Sequence, residues 1–300
     1  MVVETRGLGK YYRQLAAVSD LNLAVPDGRI SAFLGPNGSG KTTTIKMLLG
    51  LARPSAGEAF VFGKSVSDDV ASAEVRKLVG YVAEDKRLYG YMTIQQALDF
   101  TRPFFPKWSS ETERDLVKRF ALPASRGIKA LSKGMRTKLA LVLALSRRPE
   151  LLILDEPGEG LDPIAVEQML ECVVKAAADG ATVFFSTHQI GDVERIADHV
   201  FIMNSGCLSF DGNLDRLRQS CRRVNLVFPG RAPVEEMSLA GVRRIWADGH
   251  RLSLLTEGNL EAITGKAHSL GALSIDVDSV NLREWFLETV GAGEDHRDLV

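Results

Sequence analysis

The sequence predicts an α/β fold with a mostly parallel core sheet, followed by a small C-terminal α+β appendage. Over the first two thirds of the chain, short apolar segments of strand length alternate with longer segments of helical periodicity. Beyond residue 220, apolar and polar residues alternate, a pattern typical of strands with one exposed face. We therefore expect one domain over residues 1–220 and an accessory domain over residues 221–300, with a frayed tail at residues 291–300.

The overall composition narrows the range of functions. The chain has 37 Lys and Arg residues against 38 Asp and Glu residues, a balance that gives no reason to expect a nucleic-acid or anionic-lipid surface. Its longest apolar run, residues 139–145, is far shorter than the roughly 20 residues of a membrane-spanning helix. The N-terminus lacks the apolar core of a signal peptide, and Cys172, Cys207 and Cys221 lack metal-ligand spacing. We therefore expect a cytoplasmic protein with reduced thiols.

A glycine-rich loop follows the first buried strand, which is predicted over residues 29–34. The loop matches the phosphate-binding pattern GxxxxGK[ST], and the residues expected to contact a nucleotide are Gly35, Pro36, Asn37, Gly38, Ser39, Gly40, Lys41, Thr42 and Thr43. Glycines let the backbone turn its N–H groups toward the phosphates, and the helix predicted over residues 41–51 points its N-terminus at the same anion. Lys41 is expected to reach the β- and γ-phosphates, and the Thr42 hydroxyl to bind Mg²⁺.

The middle of the chain predicts two more short strands and a largely helical segment. The strands cover residues 58–62 and 78–82. Helical periodicity extends over residues 93–122 and is interrupted by Pro103 and Pro106. This order of elements continues the alternation that predicts a parallel sheet.

An acidic pair ends the next predicted strand. Residues 151–154 are all apolar, as in a central strand covered on both faces, and Asp155 and Glu156 follow directly. Because α/β sheets bind ligands at the carboxyl ends of their strands, both carboxylates are expected beside the phosphate loop. Asp155 is predicted to hold Mg²⁺ through water, and Glu156 to orient and polarise the attacking water. The loop and the acidic pair together indicate an enzyme that hydrolyses or transfers a nucleotide phosphate.

The most specific motif lies between these two elements, at Leu131-Ser132-Lys133-Gly134-Met135. It resembles the LSGGQ signature of the ATP-binding cassette (ABC) family: Ser132 and Gly134 match the signature, whereas Lys133 and Met135 depart from it. Other family motifs occur in family order over residues 1–220. Their key residues here are Tyr12 for adenine stacking (with Tyr11 as the alternative), Glu84 at the Q-loop glutamine position, Asp162 in the D-loop, and His188 after a strand predicted over residues 182–186.

The resemblance implies a fold, a reaction and a set of catalytic residues. The fold is that of a P-loop NTPase of the ABC type, in which a small antiparallel β subdomain and a helical subdomain accompany the core sheet. The reaction is hydrolysis of ATP with Mg²⁺ as cofactor. The implied catalytic residues are Lys41, Glu156 and His188, and the implied metal ligands are Thr42, Glu84 and Asp155.

The resemblance also implies two partners. One is a second copy of the chain, because in the family the signature residues Ser132 and Gly134 of one copy contact the γ-phosphate bound by the other, which gives a homodimer with two composite sites. The other is a transmembrane permease, which would dock on the helical region before the signature and hold the chain at the inner face of the cell membrane. That region carries the aromatic residues Phe100, Phe104, Phe105 and Trp108, which form either a docking surface or local core.

The departures from the family motifs leave alternatives open. Lys133 either adds positive charge near the phosphates or faces solvent. Glu84 either strengthens the metal contact, alters coupling to the permease, or reaches the same ligands as a glutamine. These substitutions resemble those of exporter-type ABC proteins, and the appendage is shorter than the regulatory domain of many sugar importers, so export is expected.

Two other functions compete with this interpretation. A soluble ABC ATPase acting on nucleic acid or ribosomes would carry a coiled-coil insertion or a second cassette, whereas the segment between Glu84 and Ser132 is short and the chain has one cassette. A kinase-like phosphate-loop protein would leave the signature and His188 unexplained. We therefore expect no nucleic-acid partner.

Overall fold

A computed structural model describes residues 1–215, 217 and 221–290 of the chain. The chain divides into two compact units, Met1–Asp211 and Gly212–Val300. The domain boundary predicted at residue 220 stays a prediction, and the frayed tail predicted over residues 291–300 lies outside the described residues. None of the helices in the described part of the chain combines the length and the apolar character that crossing a bilayer requires.

The first unit begins with a small antiparallel sheet. Its strands are β1 (Val3–Tyr12), β2 (Leu15–Leu21), β3 (Ala24–Val25), β5 (Ala56–Val61) and β6 (Lys64–Ser65). They are ordered β2-β1-β5-β6, with β3 paired to β1. The exposed end of β1 presents Tyr11 and Tyr12, whose side chains are about half exposed. This sheet is the antiparallel β subdomain that the sequence predicts.

A six-stranded sheet forms the centre of the first unit. Its strands are β4 (Ile30–Leu34), β7 (Val79–Val82), β8 (Leu151–Asp155), β9 (Thr182–Thr187), β10 (His199–Asn204) and β11 (Cys207–Asn213), in the order β11-β10-β4-β9-β8-β7. The pairs β10/β4, β4/β9, β9/β8 and β8/β7 are all parallel. Every residue of β4, β8 and β9 is buried, which explains why their sequences are almost continuously apolar. The predicted α/β fold is therefore confirmed.

Seven helices lie in the described part of the first unit: α1 (Lys41–Leu48), α2 (Asp69–Leu78), α3 (Ile94–Thr101), α4 (Ser110–Arg119), α5 (Lys133–Leu145), α6 (Pro163–Ala178) and α7 (Ile190–Ile196). The helical pattern predicted over residues 93–122, with its interruption at Pro103 and Pro106, forms the two helices α3 and α4. Thr93 and Gln96 form a capping box that begins α3. A short 3₁₀ turn at Arg102–Phe104 ends it, because Pro103 cannot continue the helical hydrogen bonds.

Over residues 221–290, the second unit contains a four-stranded antiparallel sheet and two helices. Its elements are β12 (Cys221–Val227), β13 (Val242–Asp248), β14 (Arg251–Glu257), α8 (Leu260–Ser269), β15 (Ser274–Ser279) and α9 (Leu282–Val290), and the strand order is β13-β14-β12-β15. One face of the sheet packs its apolar residues, such as Val224, Leu226 and Leu254, against Ile263 of α8. The unit thus has a hydrophobic core of its own.

The exposure of apolar residues varies within the second unit. The edge strand β15 is largely exposed: Val277 is 41% exposed, and Leu273, which precedes the strand, is 69% exposed. Trp285 of α9 is 1% exposed and belongs to the interior. None of the three cysteines, Cys172, Cys207 and Cys221, forms a disulfide within the described residues.

Candidate functional site

The site lies where the parallel strands of the central sheet end. The phosphate loop follows β4, and the acidic pair stands at the end of β8. His188 follows β9, and Glu84 comes after β7. Because these four strands are adjacent and parallel, their carboxyl ends bring all of these groups to one edge of the sheet.

Glycine is required where the phosphate loop approaches other backbone. Gly40 has a φ of 108°, and a Cβ atom there would lie 2.4 Å from the Ala17 carbonyl oxygen. A Cβ atom on Gly35 would lie 2.4 Å from the carbonyl oxygen of Met203. The loop ends at α1, whose first N–H groups have no partner within the helix and face toward an incoming anion.

Lys41 is buried and paired with neighbouring groups. Its Nζ donates to the carbonyl oxygens of Gly35 and Pro36 at 2.7 and 3.1 Å. The same Nζ lies 3.1 Å from Glu156 Oε1, and the two side chains are only 5% and 8% exposed. A buried ammonium group needs such a partner, since burial of an unpaired charge is costly. The carboxylate of Glu156 therefore neutralises Lys41 in this structure.

A second cluster joins a hydroxyl to two carboxylates. The Thr42 hydroxyl lies 3.1 Å from Asp155 Oδ1 and 3.3 Å from Glu84 Oε2. Asp155 is fully buried and also accepts a 2.6 Å hydrogen bond from the Ser186 hydroxyl. Burial raises the pKa of the Asp155 carboxyl above its usual range, against the hydrogen bonds from Ser186 and Thr42 that lower it.

The donor set of this cluster fits Mg²⁺. Asp155 Oδ2 is buried, and no described residue offers it a hydrogen bond. A hard cation with oxygen ligands would satisfy that atom and relieve the repulsion between the carboxylates of Asp155 and Glu84. Ser39 Oγ in the phosphate loop is likewise buried without a hydrogen-bond partner among the described residues. Orphaned polar atoms on both sides of the site are what a nucleotide with its metal would satisfy.

Glu156 and His188 are in direct contact. Nδ1 of His188 lies 2.9 Å from Glu156 Oε2, and Nε2 lies 2.9 Å from the side-chain nitrogen of Gln189. Because a carboxylate can only accept, this pairing assigns the proton to Nδ1 and makes Nε2 the acceptor. The Glu156 backbone has a φ of 47°, and its N–H donates to the Ser186 carbonyl and hydroxyl oxygens. The strand end thus fixes the direction in which the Glu156 side chain leaves the backbone.

The remaining predicted residues lie outside this cluster. Tyr12 is 49% exposed, and the Lys10 ammonium lies 5.2 Å from the centre of its ring. Ser132 caps α5 by accepting the Met135 N–H at 3.2 Å, and Asp162 caps α6 by accepting the Ala165 N–H at 2.9 Å. Within the described residues, none of these side chains contacts Lys41. Their roles in nucleotide binding therefore stay predictions.

Aromatic residues before the signature divide into two groups. Phe100 and Phe104 are exposed, whereas Phe105 and Trp108 are half-buried. The Arg147 guanidinium lies 3.6 Å from the centre of the Phe105 ring, and Trp108 donates to Glu113 at 2.7 Å. Of these four residues, Phe100 and Phe104 are thus available as a docking surface, whereas Phe105 and Trp108 make local contacts.

Sequence reasoning missed several residues that complete the site. The Ser186 hydroxyl donates to Asp155 and accepts from the Glu156 N–H. The sequence contains a signal for this residue, because it belongs to the Ser186-Thr187-His188 motif that identifies the histidine. Gln189 fixes the outer nitrogen of that histidine. Glu159 lies in the loop after β8, and Lys86 contacts the same loop. Neither residue belongs to a motif that the family resemblance points to.

Comparisons with known proteins agree with this geometry. An ABC transporter family model matches residues 18–159. The chain is 29% identical to the bacitracin transport ATP-binding protein of Bacillus licheniformis, over 97% of this chain and 98% of that protein. It is 35% identical to the daunorubicin/doxorubicin resistance ATP-binding protein of Streptomyces peucetius, over 73% of this chain and 67% of that protein. A solved structure of the ATP-binding subunit of an ABC transporter aligns with a TM-score of 0.67 and 32% identity, covering 73% of this chain and 92% of that chain.

Proposed function

Because the chain belongs to the ABC transporter family, we propose that it binds and hydrolyses ATP to energise transport through a separate membrane permease. The observation that carries this proposal is the cluster at the carboxyl edge of the central sheet. There the phosphate-loop lysine, three carboxylates, a hydroxyl and a histidine take part in contacts of 2.9 to 3.3 Å. Such a set can bind a triphosphate, hold a metal and activate water.

Phosphate binding begins with an exchange of partners at Lys41. The γ-phosphate of ATP would take the place of the Glu156 carboxylate beside Nζ, while the first turn of α1 and the loop N–H groups contact the other phosphates. Thr42, Asp155 and Glu84 would hold Mg²⁺, which when bound neutralises the charge that develops on the phosphates. Glu156 is then released from Lys41 and becomes available to a water molecule.

Glu156 is the proposed general base, and His188 orients it. The 2.9 Å contact to Nδ1 fixes one carboxylate oxygen and leaves Oε1 for the attacking water once Lys41 has turned to the phosphate. Gln189 keeps the histidine in the tautomer that donates to Glu156. Every proton transfer in this scheme involves Glu156 and the water that it activates.

A homodimer with shared sites completes the proposal. Ser132 and Gly134 stand at the start of α5, where free backbone N–H groups and the Ser132 hydroxyl can donate to an anion. These donors are away from Lys41 of the same chain and would close the site of a second copy. Two-fold symmetry then produces two equivalent sites, and ATP becomes part of the interface.

An exposed aromatic cluster is the proposed contact with the permease. Tyr89, Tyr91, Phe100 and Phe104 are 48% to 80% exposed, and neighbouring rings lie 5.5 to 5.9 Å apart. Exposed apolar groups gathered in this way mark an interaction site. The similarity to proteins named for bacitracin transport and for daunorubicin/doxorubicin resistance supports export as the direction. A permease contact would place the chain at the inner face of the cell membrane.

Copurification tests the permease proposal. Tagged protein extracted in mild detergent should bring down an integral membrane protein in stoichiometric amount. Phe100→Ser with Phe104→Ser should lose that partner and retain ATPase activity, because neither ring touches the nucleotide site. Val70→Ser removes an exposed apolar side chain elsewhere, one that is 74% exposed, and should retain the partner. If the aromatic variant keeps the partner, or if no membrane protein copurifies with the wild type, the proposed contact is wrong.

A further inference from the structure

Lys133, which departs from the family signature, is held by an acidic residue of the loop after β8. Its Nζ lies 2.6 Å from Glu159 Oε1. The two side chains are 54% and 39% exposed, so the pair lies at the surface of this chain. Lys133 therefore neither extends freely into solvent nor lies within its own phosphate site.

Glycines allow the two segments to approach closely at this point. A Cβ atom on Gly160, which has a φ of 76°, would lie 2.7 Å from Cδ of Lys133. A Cβ atom on Gly134 would lie 3.2 Å from the Gly160 carbonyl oxygen and 3.5 Å from the side chain of Leu161. The start of the signature helix thus packs directly on the loop that contains Glu159, and the lysine stem covers Gly160.

The same loop begins at the proposed general base. The Glu159 N–H donates to the Glu156 carbonyl oxygen at 3.2 Å, and the Leu161 N–H donates to the Gly158 carbonyl oxygen at 3.1 Å. Asp162 then fixes the far end of the loop as the cap of α6. Because these bonds make the loop a compact turn, a displacement of Glu159 must also displace the Glu156 backbone.

A second lysine approaches the loop from the segment after β7. Lys86 is half-buried, and its Nζ lies 3.5 Å from the Glu156 carbonyl oxygen. Burial lowers the pKa of the Lys86 ammonium, and Glu159 gives the largest opposing attraction. The pKa of the Glu159 carboxyl is in turn held below its usual range, first by the hydrogen bond from Lys133 and also by Lys86 and His188. Glu159 is therefore the anion that faces two lysines from separate elements, Lys133 of α5 and Lys86 of the segment after β7.

We propose that Lys133 and Glu159 are positioning residues that couple the two ATP sites of the dimer. The inference rests on the proposed composite site, in which Ser132 and Gly134 of each chain face the nucleotide of its partner. The pair ties the start of the signature helix to the loop of Glu156 in the same chain. ATP that draws the signature into one site thereby sets the general base of the other site. Neither residue touches substrate, so the pair acts through Ser132 and Glu156.

Charge reversal distinguishes this role from direct phosphate binding. Lys133→Gln and Glu159→Gln should each lower kcat on the order of tenfold and bring the Hill coefficient for ATP from above one toward one, with little change in KM. The double variant Lys133→Glu with Glu159→Lys should recover most of the lost kcat and cooperativity, because it restores the ion pair in the opposite sense. Exposed ion pairs add little to folding stability, so all variants should melt near the wild-type temperature.

The ion pair of Lys64 and Glu74 provides a matched control. It joins the same residue types at similar exposure, 42% and 55%, and it lies in the antiparallel β subdomain and α2. Neutralisation or reversal of that pair should leave kcat and the Hill coefficient unchanged. An equal effect from both pairs would show a nonspecific influence of surface charge and would overturn the proposal.

Three other results would overturn it. One is a wild-type Hill coefficient of one. Another is normal kinetics in Glu159→Gln. The third is a failure of the reversed pair to improve on Lys133→Glu alone, which would show that Lys133 acts on the phosphate of the partner site by its own charge. The Ser132→Arg homodimer tests the composite site separately. If that homodimer is inactive while the variants of Lys133 and Glu159 have normal kinetics, only the proposed coupling is refuted and the composite site stands.

Discussion

Replacing Glu156 with Gln should stop hydrolysis and, at the same time, tighten ATP binding. The variant keeps the shape of the side chain and an oxygen that can accept the bond from His188 Nδ1. It loses the negative charge that lies 3.1 Å from Lys41 Nζ in a setting where both side chains are at least nine-tenths buried. Without a general base, kcat should fall by roughly 10² or more.

The gain in affinity follows from the competition between Glu156 and the γ-phosphate for Lys41. A hydrogen bond to a charged partner contributes about 1.5–3 kcal/mol, against about 0.5–1.5 kcal/mol for a neutral one. The substitution therefore weakens the contact with Lys41 by about 1–2 kcal/mol. Because ATP no longer has to displace the stronger contact, its dissociation constant should fall by about 5- to 30-fold.

Calorimetric titration with a non-hydrolysable ATP analogue and Mg²⁺ measures this gain in both proteins. Glu150→Gln is the control, because it removes a carboxylate from a surface pair with Lys107 and should leave the affinity unchanged. An unchanged or weaker affinity in Glu156→Gln would refute the exchange of partners at Lys41. Near-normal turnover would remove Glu156 from its role as general base.

Three further predictions concern the metal site, the base and the appendage. Asp155→Asn should raise the free energy of unfolding of the nucleotide-free protein by about 1–3 kcal/mol at pH 7, because it removes a buried charge. Burial raises the pKa of this carboxyl, so the gain in stability should shrink as the pH falls through that raised pKa and should vanish below the ordinary pKa of aspartate. Thermal melts between pH 8 and 4 measure this trend, and a gain in stability that does not depend on pH would contradict the assignment. Tyr12→Ala should weaken ATP binding by about 1–3 kcal/mol in equilibrium titration, and an unchanged affinity would transfer the stacking role to Tyr11. Removal of residues 221–300 should leave the affinity for Mg-ATP nearly intact but weaken dimerisation or coupling, as titration and mass measurement in solution would show; an unfolded product would mean that the two parts share one core.

The sequence predicted the parts of the fold and the site that depend on local pattern. The buried strands β4, β8 and β9 were predictable to within about one residue, because a short apolar run bounded by turn residues satisfies the needs of a covered strand. The groups that follow those strands were then predictable as neighbours, since the carboxyl ends of parallel strands meet at one edge. The contacts of Thr42 with Asp155 and Glu84 have this origin.

Features that depend on approach between distant segments were not predictable from pattern. The contact between Lys133 and Glu159 exists because Gly134 and Gly160 let two backbone segments pack together. Neither local sequence indicates that these segments lie close to each other. The exposure of Val277 follows from the place of β15 at the sheet edge, which strand alternation does not reveal. Likewise, the pairing of Lys41 with Glu156 depends on how the whole site brings two distant segments together.

The central claim, that each ATP site is built from two copies of the chain, is tested most directly by mixing inactive variants. Lys41→Ala removes the phosphate contact of one half-site, and Ser132→Arg blocks the signature of the other. Each variant alone should lack ATPase activity. Mixed dimers isolated through two different affinity tags should recover ATPase activity well above that of either homodimer, because one composite site then contains neither substitution. Mixed dimers that form and remain inactive would contradict the shared site, as would a Ser132→Arg homodimer that hydrolyses ATP at the wild-type rate.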